Sequence, residues 1–322
     1  MDWFSLPLLI AGLVIGVLVG LTGMGGGALL TPILIFFFRI DPLTAVASDI
    51  VVSLLMKPSG AIVHLYRRTV NLRLVGWLCI GSVPGAIAGA VVVNALSGVD
   101  GFTTVLQRVL GVALLLAAAG LVVRAWMGMV QRRTPFGEGP AMPSAPAVRV
   151  RPLPTALLGL LAGFMVGVTS VGAGSIIIVV LLLLYPALKA SQLVGTDLVQ
   201  AVPLVAAAAV AHLFFGGVDL GVSGSLLIGA IPGAFVGAQI SSLAPGGVIR
   251  RALAILLLAS GLRLLGVPSP LVFAAALVAL VAGNIAWILL RRRFSATRGS
   301  RARAPRDAGR PRDASEQRAG RS

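Results

Sequence analysis

Apolar runs of about 20 residues recur along the chain, at 43–65, 74–95, 108–127, 191–215, 223–243, 250–265 and 270–290. Each is long enough to cross the roughly 30 Å hydrocarbon core of a bilayer as a helix. In lipid every backbone N–H and C=O needs a partner within the protein, so spanning segments are helices or closed barrels. The runs mix Leu, Ala, Val and Gly without strict alternation, which excludes the barrel. Charge agrees: 11% of the 322 residues are charged and 57% are hydrophobic, whereas a soluble domain is about one-quarter charged. The expected fold class is all-α, a polytopic helical membrane protein.

The chain repeats itself. GLVIGVLVGLTGMGGGALL at 12–30 returns as GLLAGFMVGVTSVGAGSII at 159–177, an offset of 147. Beyond one inserted residue the offset is 148. Asp49 then meets Asp197, His64 meets His212, Asn71 meets Asp219, and Pro84-Gly85 meets Pro232-Gly233. The protein has two histidines, and they are counterparts. This divides the chain into a first repeat (1–127), a Pro/Gly/Arg-rich linker (128–153), a second repeat (154–266), one additional helix (267–290) and a basic tail (291–322).

Charge sets the expected orientation. The loop RRTVNLR at 67–73 carries three Arg, whereas its counterpart GGVDLGV at 216–222 carries one Asp and no cation. By the positive-inside rule the first is cytoplasmic and the second is not. Equivalent loops on opposite sides mean inverted repeats of five segments each, with the N-terminus outside. Asp2 stands before the first apolar run where a signal peptide has basic residues, so that run reads as a retained span. Of the net charge of +16, the tail contributes +8, from eleven Arg against Asp307, Asp313 and Glu316. It reads as a disordered cytoplasmic segment near anionic lipids, with no folded scaffold for nucleic acid. Cys79 is the sole cysteine, which excludes an intrachain disulfide and a cysteine metal cluster.

Four glycines within five positions, Gly23, Gly25, Gly26 and Gly27, are out of place in a helix interior, where each costs about 1 kcal/mol relative to Ala. In both copies the Gly-rich stretch joins a first segment (6–22, 154–170) to a short one (26–39, 174–186). Short or broken helices at matching places of inverted repeats point to a transporter's binding site. The N–H groups and positive dipole end of such a half-helix favour an anion. The expected substrate-binding set is therefore Thr22, Gly23, Gly25, Gly26 and Gly27 in one copy and Thr169, Ser170, Gly172 and Gly174 in the other. Gly12, Gly16 and Gly20, four apart, read instead as a helix-packing stripe. No Gly-Lys-Ser/Thr occurs, so this is no nucleotide loop.

Ionisable residues within spans are costly and mark candidate function. Lys57, whose counterpart is Val205, is expected to compensate substrate charge; the alternative is a lysine snorkelling to the interface. Asp49 and Asp197 carry protons or act as helix caps, and the sequence leaves both open. His64 and His212 are candidates for a proton relay, or sit at the interface. Neither a metal site nor a cofactor is expected.

The duplicated order of a Gly-rich stretch, Ser48-Asp49 or Thr196-Asp197, a His, a T-V-N or G-V-D loop, and GS-x-PG or GA-x-PG resembles the TauE/SafE sulfite exporter family over about residues 6–266. The resemblance implies a bacterial inner-membrane carrier for sulfite, an organosulfonate or a related sulfur-containing anion. One departure stands out: SVGAGS in the second copy replaces GMGGGA in the first, so the two sites need not be equivalent. The leading reading is a secondary transporter of a small anion, working by alternating access at a midplane site; an anion channel is the alternative. An intramembrane enzyme is weaker, since no Ser/His/Asp or paired-His motif occurs at ligand spacing. A purely structural membrane protein is the remaining class, and a homo-oligomer is compatible with all of them.

Overall fold

The computed structural model describes residues 5–22, 27–131, 150–171, 174–186, 188, 190–215, 217–240, 246–283 and 285. These form helices joined by short connections, with no strand among the described residues. The first repeat comprises α1 (Leu6–Thr22), α2 (Gly27–Phe37), α3 (Pro42–Tyr66), α4 (Leu72–Leu96) and α5 (Phe102–Gln131). The second comprises α6 (Pro152–Thr169), α7 (Gly174–Leu184), α8 (Ala190–Phe215), α9 (Leu220–Ile240) and α10 (Gly246–Leu264). Among the described residues six helices are long and apolar enough to cross a membrane, within α3, α4, α5, α6, α8 and α9. Shorter apolar helices lie at Leu6–Leu21, Ala28–Phe37 and Ser269–Gly283. The chain divides into two compact units, Met1–Ala276 and Leu277–Ser322; the repeats lie in the first, and the tail from 286 is outside the described residues.

Helix starts follow local chemistry. Asp41 caps α3, accepting the Leu43 N–H at 3.0 Å with Pro42 in the first turn. The counterparts Asn71 and Asp219 cap α4 and α9 through the N–H groups of Leu74 (3.2 Å) and Val222 (3.0 Å). Two boundaries differ from the sequence reading. Helix α5 continues to Gln131 and α6 begins at Pro152, so both ends of the expected linker are helical; residues 132–149 are outside the described residues.

Packing is reciprocal between the copies. The first helix of each repeat pairs with the fourth of the other, α1 with α9 and α4 with α6. Small residues make both contacts. A Cβ at Gly12 or Gly16 would overlap the backbone carbonyl of Leu226 or Ala230. One at Gly163 or Gly167 would overlap that of Ser82 or Ala86. In both pairs the contacts climb together along the sequence, so each pair runs parallel. The packing stripe read from Gly12 and Gly16 is thus in place, and it allows the close backbone approach that holds membrane helices together.

The middle helices, α3 and α8, pack against each other in the opposite sense. Gly195, near the start of α8, lies against His64 at the end of α3 and Thr69 in the turn after it. Gly217, just past the end of α8, lies against Leu43 and Ala47 near the start of α3. Helices α5 and α10 also meet, through Gly111 and Gly261. Tyr185, after α7, reaches back to the start of α6, its hydroxyl 2.6 Å from the Thr155 Oγ1 and accepting the Arg151 N–H at 2.8 Å. Helices α6 and α7 are therefore a hairpin, as the glycine break requires. Large apolar side chains such as Phe37, Tyr66, Leu183 and Phe214 face outward, where a membrane protein meets lipid.

Candidate functional site

The interior of the first unit is not uniformly apolar. Thr31, Ser48, Asp49, Ser53, Lys57 and Asp197 are all buried, and they come from α2, α3 and α8. Asp49 and Asp197 are each the eighth residue of their helices, too far in to cap them. Asp49 instead accepts from the Thr31 hydroxyl at 2.5 Å and, one turn along its own helix, from the Ser53 hydroxyl at 3.3 Å. Charge-assisted bonds of this kind are roughly twice as strong as neutral ones. Neither donor has a hydroxyl counterpart: the matching positions are Ile178 and Ala201. The two carboxylates are symmetric in sequence and different in setting.

Asp197 lies against the start of α7. Its Oδ2 is so close to Gly174 that a Cβ there would overlap it. A carboxylate at a helix N-terminus is favoured by the dipole by about 0.3–1 kcal/mol. Lys57 is 8% exposed, near enough to feel the charges of both Asp49 and Asp197. Its environment is thus an electrostatic cluster spanning the two repeats. Such a setting differs from that of a snorkelling lysine, whose ammonium reaches water.

The break after α6 is built on Ser170. This residue takes the left-handed conformation at φ 55°, which costs a non-glycine residue roughly 1–2 kcal/mol; its counterpart is Gly23. The Ser170 hydroxyl is 1% exposed, has no hydrogen-bond partner among the described residues, and stands close enough to Asp49 to act on its charge. Thr169 is engaged locally, donating to the Met165 carbonyl at 2.6 Å and accepting the Val171 N–H at 3.2 Å. Gly27 opens α2. Gly23, Gly25, Gly26, Gly172 and the side chain of Thr22 lie outside the described residues.

The histidines are not equivalent. His212 is 2% exposed and its Nε2 is 2.9 Å from the Gly167 carbonyl. A carbonyl can only accept, so Nε2 carries the proton there, and the ring ties α8 to the last turn of α6. His64 is half-buried, with Nδ1 2.9 Å from the Thr69 hydroxyl in the turn after α3. Sequence reasoning passed over Thr31, Ser53, Ser82 and Gln200. Ser82 donates to the Gln200 Oε1 at 3.1 Å, linking α4 to α8. Among the described residues no group of three or more His, Cys, Asp or Glu could hold a metal ion.

A helical bundle of this length and hydropathy, with ionisable groups gathered between two copies of one unit, is a multi-pass membrane protein of the transporter class. Comparison with known proteins agrees and is more specific. The family model "Sulfite exporter TauE/SafE" matches residues 8–264, and the chain belongs to that family. It is 36% identical over 262 residues to the Probable membrane transporter protein YjnA of Bacillus subtilis (strain 168), covering 81% of this chain and all of that protein. It is 23% identical over 255 residues to the Probable membrane transporter protein YdhB of the same organism, covering 78% of this chain and 96% of that protein. No solved structure matches the chain.

Proposed function

We propose that this membrane transporter is a secondary carrier of a small sulfur-containing oxyanion, sulfite or an organosulfonate, working by alternating access between inverted repeats. The observation that carries the reading is Lys57, a buried ammonium within electrostatic reach of one carboxylate from each repeat. The ammonium, the Ser170 hydroxyl and the start of α7 are donors suited to an oxyanion. Antiparallel packing of the counterpart helices α3 and α8 supports inversion, because repeats of the same orientation would carry those helices in the same direction. Reciprocal pairing of α1 with α9 and α4 with α6 supports rocking of one packed body against another.

The orientation that fits the loop charges puts the N-terminus outside, 67–73 inside, 216–222 outside and the tail inside the inner membrane. Asp49 and Asp197 are the candidate coupling groups, and no catalytic step is invoked. Purified protein in proteoliposomes, assayed with sulfite, alkanesulfonates, sulfate and carboxylates with and without a proton gradient, tests the proposal. Accumulation of sulfite or a sulfonate that depends on the gradient is the expected result. Indifference to all four anions would refute it.

A further inference from the structure

The start of α7 is where a substrate anion would be received, yet a carboxylate of the protein already lies there. Asp197 Oδ2 sits against Gly174, the first residue of this 11-residue helix. Freed N–H groups and the helix dipole attract negative charge at that end. Ser170 supplies an independent sign of a ligand at the same break. Its hydroxyl is 1% exposed and makes no close hydrogen bond among the described residues, although it stands near enough to Asp49 to act on its charge. A buried donor without a close partner calls for an explanation, and a transient oxyanion beside it is one.

Charge counting sharpens the point. Lys57 acts on both Asp49 and Asp197, so one cation faces two carboxylates. With all three ionised the cluster is net negative and repels an anion. Asp49 is fixed by the Thr31 and Ser53 hydroxyls, whereas Asp197 is the carboxylate lying on the half-helix. We propose that ionised Asp197 occupies the anion site at the start of α7, and that substrate takes its place only when Asp197 is protonated. The proton ends on the carboxylate oxygen, the substrate anion takes over the helix terminus, and proton and anion cross together. On the opposite side the proton leaves, and the restored carboxylate displaces the anion.

This rests on the carrier reading above and gives it a coupling mechanism. Among the described residues, the ionisable groups on the helices packed against Asp197 are these. Helix α3 brings Lys57, with Asp49 beyond it, and His64 against Gly195. Helices α6 and α7 contain no ionisable side chain, and α4 brings Arg73 at its exposed first turn and Cys79, half-buried. On α8 itself His212 is bonded to the Gly167 carbonyl.

Methanesulfonate, a monoanion across the working pH range, is the probe for the full-length protein in detergent. Calorimetric affinity should weaken by about tenfold per pH unit as pH rises, and binding in weakly buffered solution should take up about one proton per anion. Asp197→Asn should bind with the acid-pH affinity at every pH and take up none. A variant that keeps the wild-type pH dependence, or wild-type binding without proton uptake, overturns the competition and leaves the carrier standing. Should Asp197→Asn fail to fold, wild-type proton uptake alone decides. Failure of wild-type protein to bind methanesulfonate, sulfite or sulfate at any pH would sink the carrier reading, and the competition with it.

Discussion

Lys57 costs about 2.5–3.5 kcal/mol to bury at mid-membrane depth on insertion scales, and Asp49 and Asp197 are the charges that offset it. Lys57→Met removes both the cost and the attraction. The variant should be about as stable as wild type and lose the thermal stabilisation that an alkanesulfonate gives the folded protein. Retention of that stabilisation would remove Lys57 from the site. Ser170 separates strain from function in the same assay. Ser170→Gly relieves a left-handed residue and should raise stability by about 1 kcal/mol, while weakening anion binding through loss of the hydroxyl. Thr31→Val takes a donor from a buried carboxylate and should cost about 1.5–3 kcal/mol, read as a lowered midpoint of thermal unfolding. Lys57, Asp49 and Asp197 could be picked out in advance because charge inside an apolar run is conspicuous. Thr31 and Ser53 could not, since a hydroxyl in a membrane helix is unremarkable until the carboxylate it serves is placed.

At the scale of elements, glycine does two different jobs, and only one was easily read. Stripes such as Gly12 and Gly16 announce close packing, yet the sequence does not say against what. The partner of α1 is α9, from the other repeat, a choice made by the matching stripe on α9 rather than by proximity in the chain. Within α4 the consequences can be separated. A Cβ at Gly81 would overlap the Ala156 carbonyl, whereas one at Gly76 meets nothing within 4 Å. Gly81→Ala should therefore push α4 from α6 and cut the yield of folded protein. Gly76→Ala should gain up to about 1 kcal/mol of helix propensity. Size-exclusion profiles and unfolding midpoints of the two variants check this directly. Helix ends were less legible than helices. The apolar run at 108–127 hid the polar first turns of α5, because Thr103, Thr104 and Gln107 lower hydropathy without ending a helix.

For the whole molecule, the repeat in the sequence foretold two matching sets of five helices, and loop charge sets the expectation that they are inverted. Orientation is tested by single cysteines placed at Arg67 and Val218 after Cys79→Ala. Inverted repeats require labelling from opposite faces of the membrane, and labelling of both from one face would exclude them. Alternating access is the central claim, and it separates a carrier from a channel of the same fold class. The direct measurement is counterflow: proteoliposomes loaded with unlabelled sulfite or alkanesulfonate take up labelled anion against its concentration difference. Wild-type protein should show a saturable overshoot, and Lys57→Met should show none. Uptake that only equilibrates, without overshoot and without saturation, would contradict the account and mark the protein as an anion channel.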